Sequence, residues 1–272
     1  FKKERMRKLP QEYLSDMQRL LGEEFPEFLA SYDKDRFYGL RINTLKCDSK
    51  TLSDEFSLKR VPWCEDGYYY DAEQRPGKSV LHDGGAFYIQ EPSAMAVVES
   101  MDIQSGDIVL DLCAAPGGKS SQIACKLAGS GLLVSNEIIP SRAKVLSQNL
   151  ERMGVRNCIV LNESPDRLSN RFKEFFDKIL VDAPCSGEGM FRKNPEAVDE
   201  WSVESVEICK RRQLDVLFEA VKMLKQNGLI VYSTCTFSKS ENEEVIDEFL
   251  KENKDFQVVD MLYKFSGGYP VD

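Results

Sequence analysis

The chain reads as an α/β protein: a parallel sheet covered by helices on both faces, preceded by a smaller α+β domain. Three observations predict this. After about residue 86, short apolar runs alternate with amphipathic segments, the pattern of strands buried on both faces between covering helices. Before that point the sequence is richer in glycine, proline and aromatic residues, with short alternating runs and turn signals. With 42% hydrophobic and 30% charged residues over 272 positions, the chain has enough apolar surface for one large domain or two modest ones. We divide it into an accessory domain at 1–85 and a second domain at 86–272.

Taken in order, residues 10–31 predict a helix. Pro10 suits a first turn, and Leu14, Met17, Leu20 and Leu21 recur at helical spacing. FYGLRINTL (37–45) alternates as a strand, and 46–86 holds short strands such as YYYDA and turns such as RPGK. A helix from about Pro92 to Met101 opens the second domain. Its strands are expected at IVLDLCA (108–114), LLVSNEI (132–138), CIVLNE (158–163), KILVDAP (178–184) and GLIVYST (228–234). Helices are expected between them, among others at 141–154 and 208–225.

Composition narrows the function. No apolar run reaches the roughly 18 residues of a membrane span, and no secretory leader opens the chain, so a cytoplasmic protein is expected. Phe1 in place of Met suggests a longer protein upstream. The eight cysteines include no Cys-x-x-Cys pair, and His82 is the one histidine; this argues against a zinc site and against a Ser-His-Asp hydrolase. Scattered cysteines suit a reducing compartment. The net charge of −9 disfavours a uniformly basic nucleic-acid surface but allows a local patch. The opening FKKERMRK is basic, and ENEEVIDEFLKENKD (241–255) is acidic. Both also fit charged, solvated helix ends.

In a parallel sheet, ligands gather at the carboxyl ends of the strands. The first strand of the second domain ends in Asp111-Leu-Cys-Ala-Ala-Pro-Gly-Gly-Lys119. Two glycines opening a helix let a ligand approach the backbone, and the helix amides can hold a carboxylate. The loop is neither GxGxxG nor GxxxxGK[ST], and by itself it also fits a plain strand-to-helix turn. The second strand ends at Glu137, an acid that can accept ribose hydroxyls or simply lie at a helix start. Together these features indicate an adenosine cofactor with a free carboxylate, which S-adenosylmethionine satisfies. The fourth strand ends in Asp182-Ala-Pro-Cys185-Ser-Gly and the fifth in Ser-Thr-Cys235-Thr-Phe. Either cysteine alone fits an ordinary buried residue. Both at the ligand edge beside Asp182 indicate chemistry. Carbon 5 of cytosine is a poor nucleophile until a thiolate adds at carbon 6, a carboxyl can protonate N3 of the ring, and a further base must take the carbon-5 proton.

DLCAAPGGKSSQIA, NEIIPSRA, DAPCSGEGMFRKNPE and YSTCTFSKSENEEV, with GLRINTL and YIQEPSAM upstream, resemble the NOL/NOP/Sun RNA 5-methylcytosine methyltransferases, and within them the bacterial RsmF-like rRNA branch. The resemblance covers nearly the whole chain. It implies a Rossmann-like methyltransferase sheet at 86–272, S-adenosylmethionine as methyl donor, and RNA as substrate, with 16S rRNA or the small ribosomal subunit as partner. It implies Cys235 as nucleophile, Cys185 in product release, and Asp182 supporting the adduct and facing the cofactor. Cys113, Ala114, Ala115, Pro116, Gly117, Gly118 and Lys119 would line the methionine part, and Glu137 the ribose. Where the family often has an aspartate near the adenine, this chain has Ser164; Asn162 is an alternative contact. Members of the branch continue into a PUA-like RNA-binding domain, whereas this chain ends at Asp272.

RNA is expected over the carboxyl edge of the sheet, touching Arg192, Lys193 and the basic start of the chain, with the protein acting as a monomer. Three other readings compete: a tRNA cytosine-5 methyltransferase, a DNA 5-methylcytosine methyltransferase using the cysteine of DAPCS as nucleophile, and a non-catalytic ribosome-assembly protein with this fold.

Overall fold

The computed structural model describes residues 8–53 and 55–261; the basic opening at 1–7 lies outside them. The larger body is a five-stranded, wholly parallel sheet in the order β7-β6-β5-β8-β9. Its strands are β5 (Ile108–Asp111), β6 (Leu132–Asn136), β7 (Cys158–Leu161), β8 (Phe176–Asp182) and β9 (Leu224–Ser233). The chain winds outward from β5 through β6 to β7, then returns to the other side of β5 at β8. That reversal opens a crevice at the carboxyl ends of β5 and β8, where ligands of such sheets lie.

Successive strand residues serve opposite faces. Leu110, Ile179 and Val181 pack in one core with Leu217, Ala220 and Phe249. These come from α10 (Val203–Met223) and α11 (Glu243–Glu252). Val109, Leu133 and Leu180 pack in the other with Val98, Ile123 and Leu127, from α5 (Pro92–Glu99) and α6 (Gly118–Leu127). α7 (Pro140–Met153) adds Leu146 and Leu150 beside Ala114. This is the Rossmann-like methyltransferase architecture implied above. The strands stop one to three residues short of the expected ends, so Cys185 and Cys235 lie in loops beyond the ladder while Asp182 stands at its last rung.

The smaller sheet is antiparallel, β2-β3-β1-β4, from β1 (Gly39–Ile42), β2 (Leu58–Arg60), β3 (Gly67–Tyr70) and β4 (Phe87–Ile89). Its core holds Leu40, Ile42, Leu52, Phe56 and Phe87. Because β4 completes this sheet, the sheet runs past the division expected at residue 86. The strand expected over 37–45 ends at Ile42 because Asn43 turns the chain. Fully buried, Asn43 donates from Nδ2 to the carbonyls of Gly85 and Met153, each at 2.7 Å. Gly85, at φ 73°, is required there: a Cβ would lie 2.0 Å from the Arg152 carbonyl oxygen.

The helix expected over 10–31 is broken. α1 (Gln11–Leu21) ends at Gly22, φ 56°, whose amide caps Gln18, and α2 (Phe25–Ser31) begins after a single 3-10 turn with proline in its first turn. A positive φ suits glycine and stops a helix. These helices do not pack as one module with the small sheet. Tyr13, Met17 and Tyr32 form a core with Phe191, Val198, Trp201 and Val206 of the larger body, and Tyr13 meets the rings of Phe191 and Trp201 edge-on at 5.0 and 6.0 Å.

Replacing Asn43 with alanine leaves two buried carbonyls without partners. At about 1–3 kcal/mol for each buried polar group left unsatisfied, Asn43→Ala should lower stability to urea by about 2–4 kcal/mol. A loss well under 1 kcal/mol would contradict the assigned bonds.

Candidate active site

The pairing of β8 with β9 sets Asp182 opposite Ser233, and the Ala183 amide continues the ladder to the Ser233 carbonyl at 2.8 Å. The two loops that follow therefore leave the sheet side by side. Cys185 and Cys235 are brought together, with their sulfurs 3.2 Å apart. Cys235 is exposed and Cys185 half-buried. The backbone amide of Cys235 also donates to the Cys185 sulfur at 3.3 Å.

Two thiols this close share their protons. The hydrogen bond between the sulfurs holds the Cys185 thiol well above the ordinary range, with burial adding to the effect, so the shared proton rests on Cys185. The same hydrogen bond holds Cys235 below that range. Burial and the charge of Asp182 oppose it, and the Lys119 ammonium assists it. Lys119 Nζ pairs with Asp182 Oδ2 at 2.7 Å, and the Ser233 hydroxyl donates to Oδ1 at 2.8 Å. Thus the β5 loop, the tip of β8 and the tip of β9 converge.

The loop from Cys113 to Lys119 is fixed from the β6–α7 side. The Ala114 amide donates to the Asn136 carbonyl at 2.8 Å. Arg142 donates to the Ala115 carbonyl at 3.0 Å, and Asn149 to that of Pro116 at 2.9 Å. Gly117, φ 110°, starts α6 without a side-chain cap, and Gly118 follows as its first residue. Burial pushes the Cys113 thiol up, so this cysteine is a wall rather than a nucleophile. Beneath the loop, burial raises the Asp111 carboxyl to about 7, against the Ser120 hydroxyl that donates to it at 2.6 Å.

Glu137 follows β6 and is 3% exposed. It accepts from the Ile139 amide at 3.0 Å and lies 3.4 Å from Arg142. Ser164 stands before α8 (Pro165–Ser169) with its side chain bonded to Asp166. Asn162 Nδ2 donates to the Glu137 carbonyl at 2.6 Å, which makes it a support of the β6 tip.

Of the two expected RNA contacts, only Lys193 is exposed, 3.5 Å from Glu91. Arg192 is half-buried, and its guanidinium donates to the carbonyls of Lys34 and Asp35 at 2.9 and 3.3 Å, joining the accessory segment to this loop. The basic start, expected beside them, lies outside the described residues.

Sequence reasoning missed two acids. Glu188 is 4% exposed and Glu241 fully buried. Glu241 opens the acidic run that also fitted a solvated helix end; its one signal in sequence was its place four residues after the STCTF block.

A family model described as 16S rRNA methyltransferase RsmB/F matches residues 98–268, and one described as the N-terminal domain of 16S rRNA methyltransferase RsmF matches residues 9–92. The chain is 38% identical over 249 residues to ribosomal RNA small subunit methyltransferase F of Vibrio cholerae, covering 87% of this chain and 53% of that protein. It spans about half the length of the curated relatives it matches. Among solved structures it resembles a methyltransferase homolog protein from Pyrococcus horikoshii, with 29% identity and a TM-score of 0.74 over 89% of this chain and 83% of the other. It shares its fold with NSun6 from Pyrococcus horikoshii, solved with SFG, at 21% identity and a TM-score of 0.80 over 89% and 87% of the two chains.

The thiol assignment has a measurable sign. Alkylation of Cys235 by iodoacetamide, followed by peptide mass spectrometry against pH, should give a midpoint below the ordinary thiol value of about 8.5. Cys185→Ala removes the S–H donor that favours the thiolate, so the midpoint should move up. A midpoint that stays or falls would refute the hydrogen bond's direction.

Proposed function

This chain belongs to the 16S rRNA methyltransferase RsmB/F family and to its RsmF-like branch, and on that premise we propose that it transfers a methyl group from S-adenosylmethionine to carbon 5 of a cytosine in ribosomal RNA through a covalent adduct on Cys235. The observation that carries this reading is the pair of sulfurs 3.2 Å apart beside the Lys119–Asp182 ion pair. A lone nucleophile would not need the second thiol.

The loop chemistry fits the cofactor. The uncapped first turn of α6 offers backbone amides to a carboxylate, Glu137 stands at the tip of the neighbouring strand for ribose hydroxyls, and Asp182 lies between this loop and the thiols. When bound, the cofactor supplies an electrophilic methyl group.

The residues then divide the work on the pyrimidine. The Cys235 thiolate adds to carbon 6, forming the S–C6 bond as N3 takes a proton from the Asp182 carboxyl, which takes it back when the S–C6 bond later breaks. Asp182, fixed by Lys119 and Ser233, holds the N3 edge. The adduct makes carbon 5 nucleophilic, and the methyl group becomes attached there. The carbon-5 proton must then leave to a base and the S–C6 bond must break, which regenerates the thiolate. Cys185 is assigned to this release because its sulfur touches the nucleophile's. Lys193, with its ammonium at the same edge, is the proposed phosphate contact. The accessory segment, tied to this edge through Arg192, would extend the RNA surface.

Two variants should fail at different points. Incubated with rRNA and cofactor and run on a denaturing gel, Cys235→Ala should give neither adduct nor product. Cys185→Ala should leave RNA joined to protein, since blocking a later step traps what the earlier one made. A stable adduct from Cys235→Ala alone would reverse the roles. Mapping 5-methylcytosine in rRNA and tRNA after reaction with the protein distinguishes the substrate classes.

For the ribose contact, Glu137→Ala should weaken S-adenosylmethionine binding by about 1–3 kcal/mol, the size of charge-assisted hydrogen bonds. Unchanged affinity by calorimetry would remove Glu137 from the site.

A further inference from the structure

We propose that Glu188 and Glu241 are positioning residues: a reciprocal pair of buried carboxylates that fixes the distance between the two active-site thiols. The inference rests on the reading of Cys235 and Cys185 given above, and it concerns what holds them rather than what they do.

The geometry is crossed. Glu241, in the turn after the Cys235 loop, reaches back to the other loop: it accepts the Ser186 amide at 2.9 Å, next to Cys185, and also the Ser186 hydroxyl. Glu188, in the loop after Cys185, does the converse. It accepts the Phe237 amide at 3.0 Å, just beyond Cys235, together with the Trp201 indole at 3.0 Å. Two lesser ties run between the same loops: Ser186 Oγ to Thr236 Oγ1 at 3.0 Å and the Gly189 amide to the Cys235 carbonyl at 2.9 Å.

Past the last ladder bond, loops leaving a sheet have unpaired amides and no fixed spacing. An ionised carboxylate is an acceptor with two oxygens, so each glutamate can take a donor from the opposite loop and one from the scaffold. For Glu241 the scaffold donor is the fully buried Gln213, at 2.8 Å; for Glu188 it is Trp201. Buried charge is tolerated only when so satisfied. The demand works both ways: each acid needs the opposite loop to stay where it is. The consequence is a sulfur–sulfur gap set by the scaffold and ready before substrate arrives.

Glu188→Gln tests this, because the donors on its two oxygens from Trp201 and Phe237 are both N–H groups that cannot turn into acceptors, unlike the Thr236 hydroxyl that also faces it. One of them, from Trp201 or Phe237, must then meet an amide NH2. The displaced loop should lengthen the gap and remove the Cys185 S–H donor, so the alkylation midpoint of Cys235 should rise toward that of Cys185→Ala. Single-turnover methyl transfer should fall roughly 10- to 100-fold, the scale of an ångström-level misplacement, with cofactor affinity unchanged. In the double variant E188Q/W201F the indole donor is gone, so the glutamine oxygen can turn to Phe237, and both readouts should return toward wild type. A merely structural loss would not be rescued by deleting a second hydrogen bond.

The alkylation readout needs no RNA, so it stands even if the proposed substrate is wrong. The proposal is overturned if folded Glu188→Gln, checked by circular dichroism, keeps the wild-type alkylation profile, or if the double variant fails to recover it. Should Glu188→Gln alone not fold, the proposal still requires E188Q/W201F to fold and to show the wild-type profile.

Discussion

The carboxyl edge of this protein depends on the parallel hydrogen-bond ladder between β8 and β9, which forces two segments distant in sequence to end at the same level. Parallel neighbours have no turn joining them, so their shared end point comes from the register Asp182 to Ser233 and from the cores on either face. The ladder delivers the two cysteines to one neighbourhood but cannot set the contact between their sulfurs. That falls to polar groups beyond its last bond, where buried acids satisfy amides that strands no longer pair. Sheet geometry supplies the coarse placement, and hydrogen bonding the fine one.

A second constraint joins the two sheets. Arg41, on β1, is 1% exposed, and its partners are neutral: Gln90 at 2.9 Å, the Ser121 hydroxyl at 2.7 Å and the Gly118 carbonyl at 3.2 Å. Leu40 and Ile42 on either side face the small core, so β1 is a wall between two interiors. A buried guanidinium needs its donors met, and here they are met largely by the first turn of α6, the turn that opens the glycine loop. The small sheet therefore supports the loop directly.

Much of this was legible from sequence, for reasons that differ by residue. The strands of the larger sheet are apolar on both faces, so their existence and order stand out, and the rule that ligands gather at carboxyl ends located Lys119, Asp182, Cys185 and Cys235. Their ends were read too long because apolar character continues into the loops that close the core, as at Ala114 and Ala183. The break at Gly22 was missed because hydrophobic spacing continues across it. Arg192 was read as an RNA contact from its charge alone, since its carbonyl partners on Lys34 and Asp35 are not visible in sequence. Glu188 and Glu241 were hidden for the converse reason. An acid among polar neighbours looks solvated until the fold surrounds it with donors.

The core that joins Tyr13, Met17 and Tyr32 to Phe191, Trp201 and Val206 has a consequence for how the protein is made. α1 and α2 emerge from the ribosome long before the segment that covers their apolar faces. At about 5–20 residues per second, they wait on the order of 10–40 s for it. During that interval the apolar faces of α1 and α2 lack the residues that cover them in the finished fold. Closing the loop is a late, long-range event of the kind that slows folding. α1 and α2 can thus dock against the loop that follows Cys185 only after the chain has been made to about residue 206, so this side of the site waits on sequence far downstream of them.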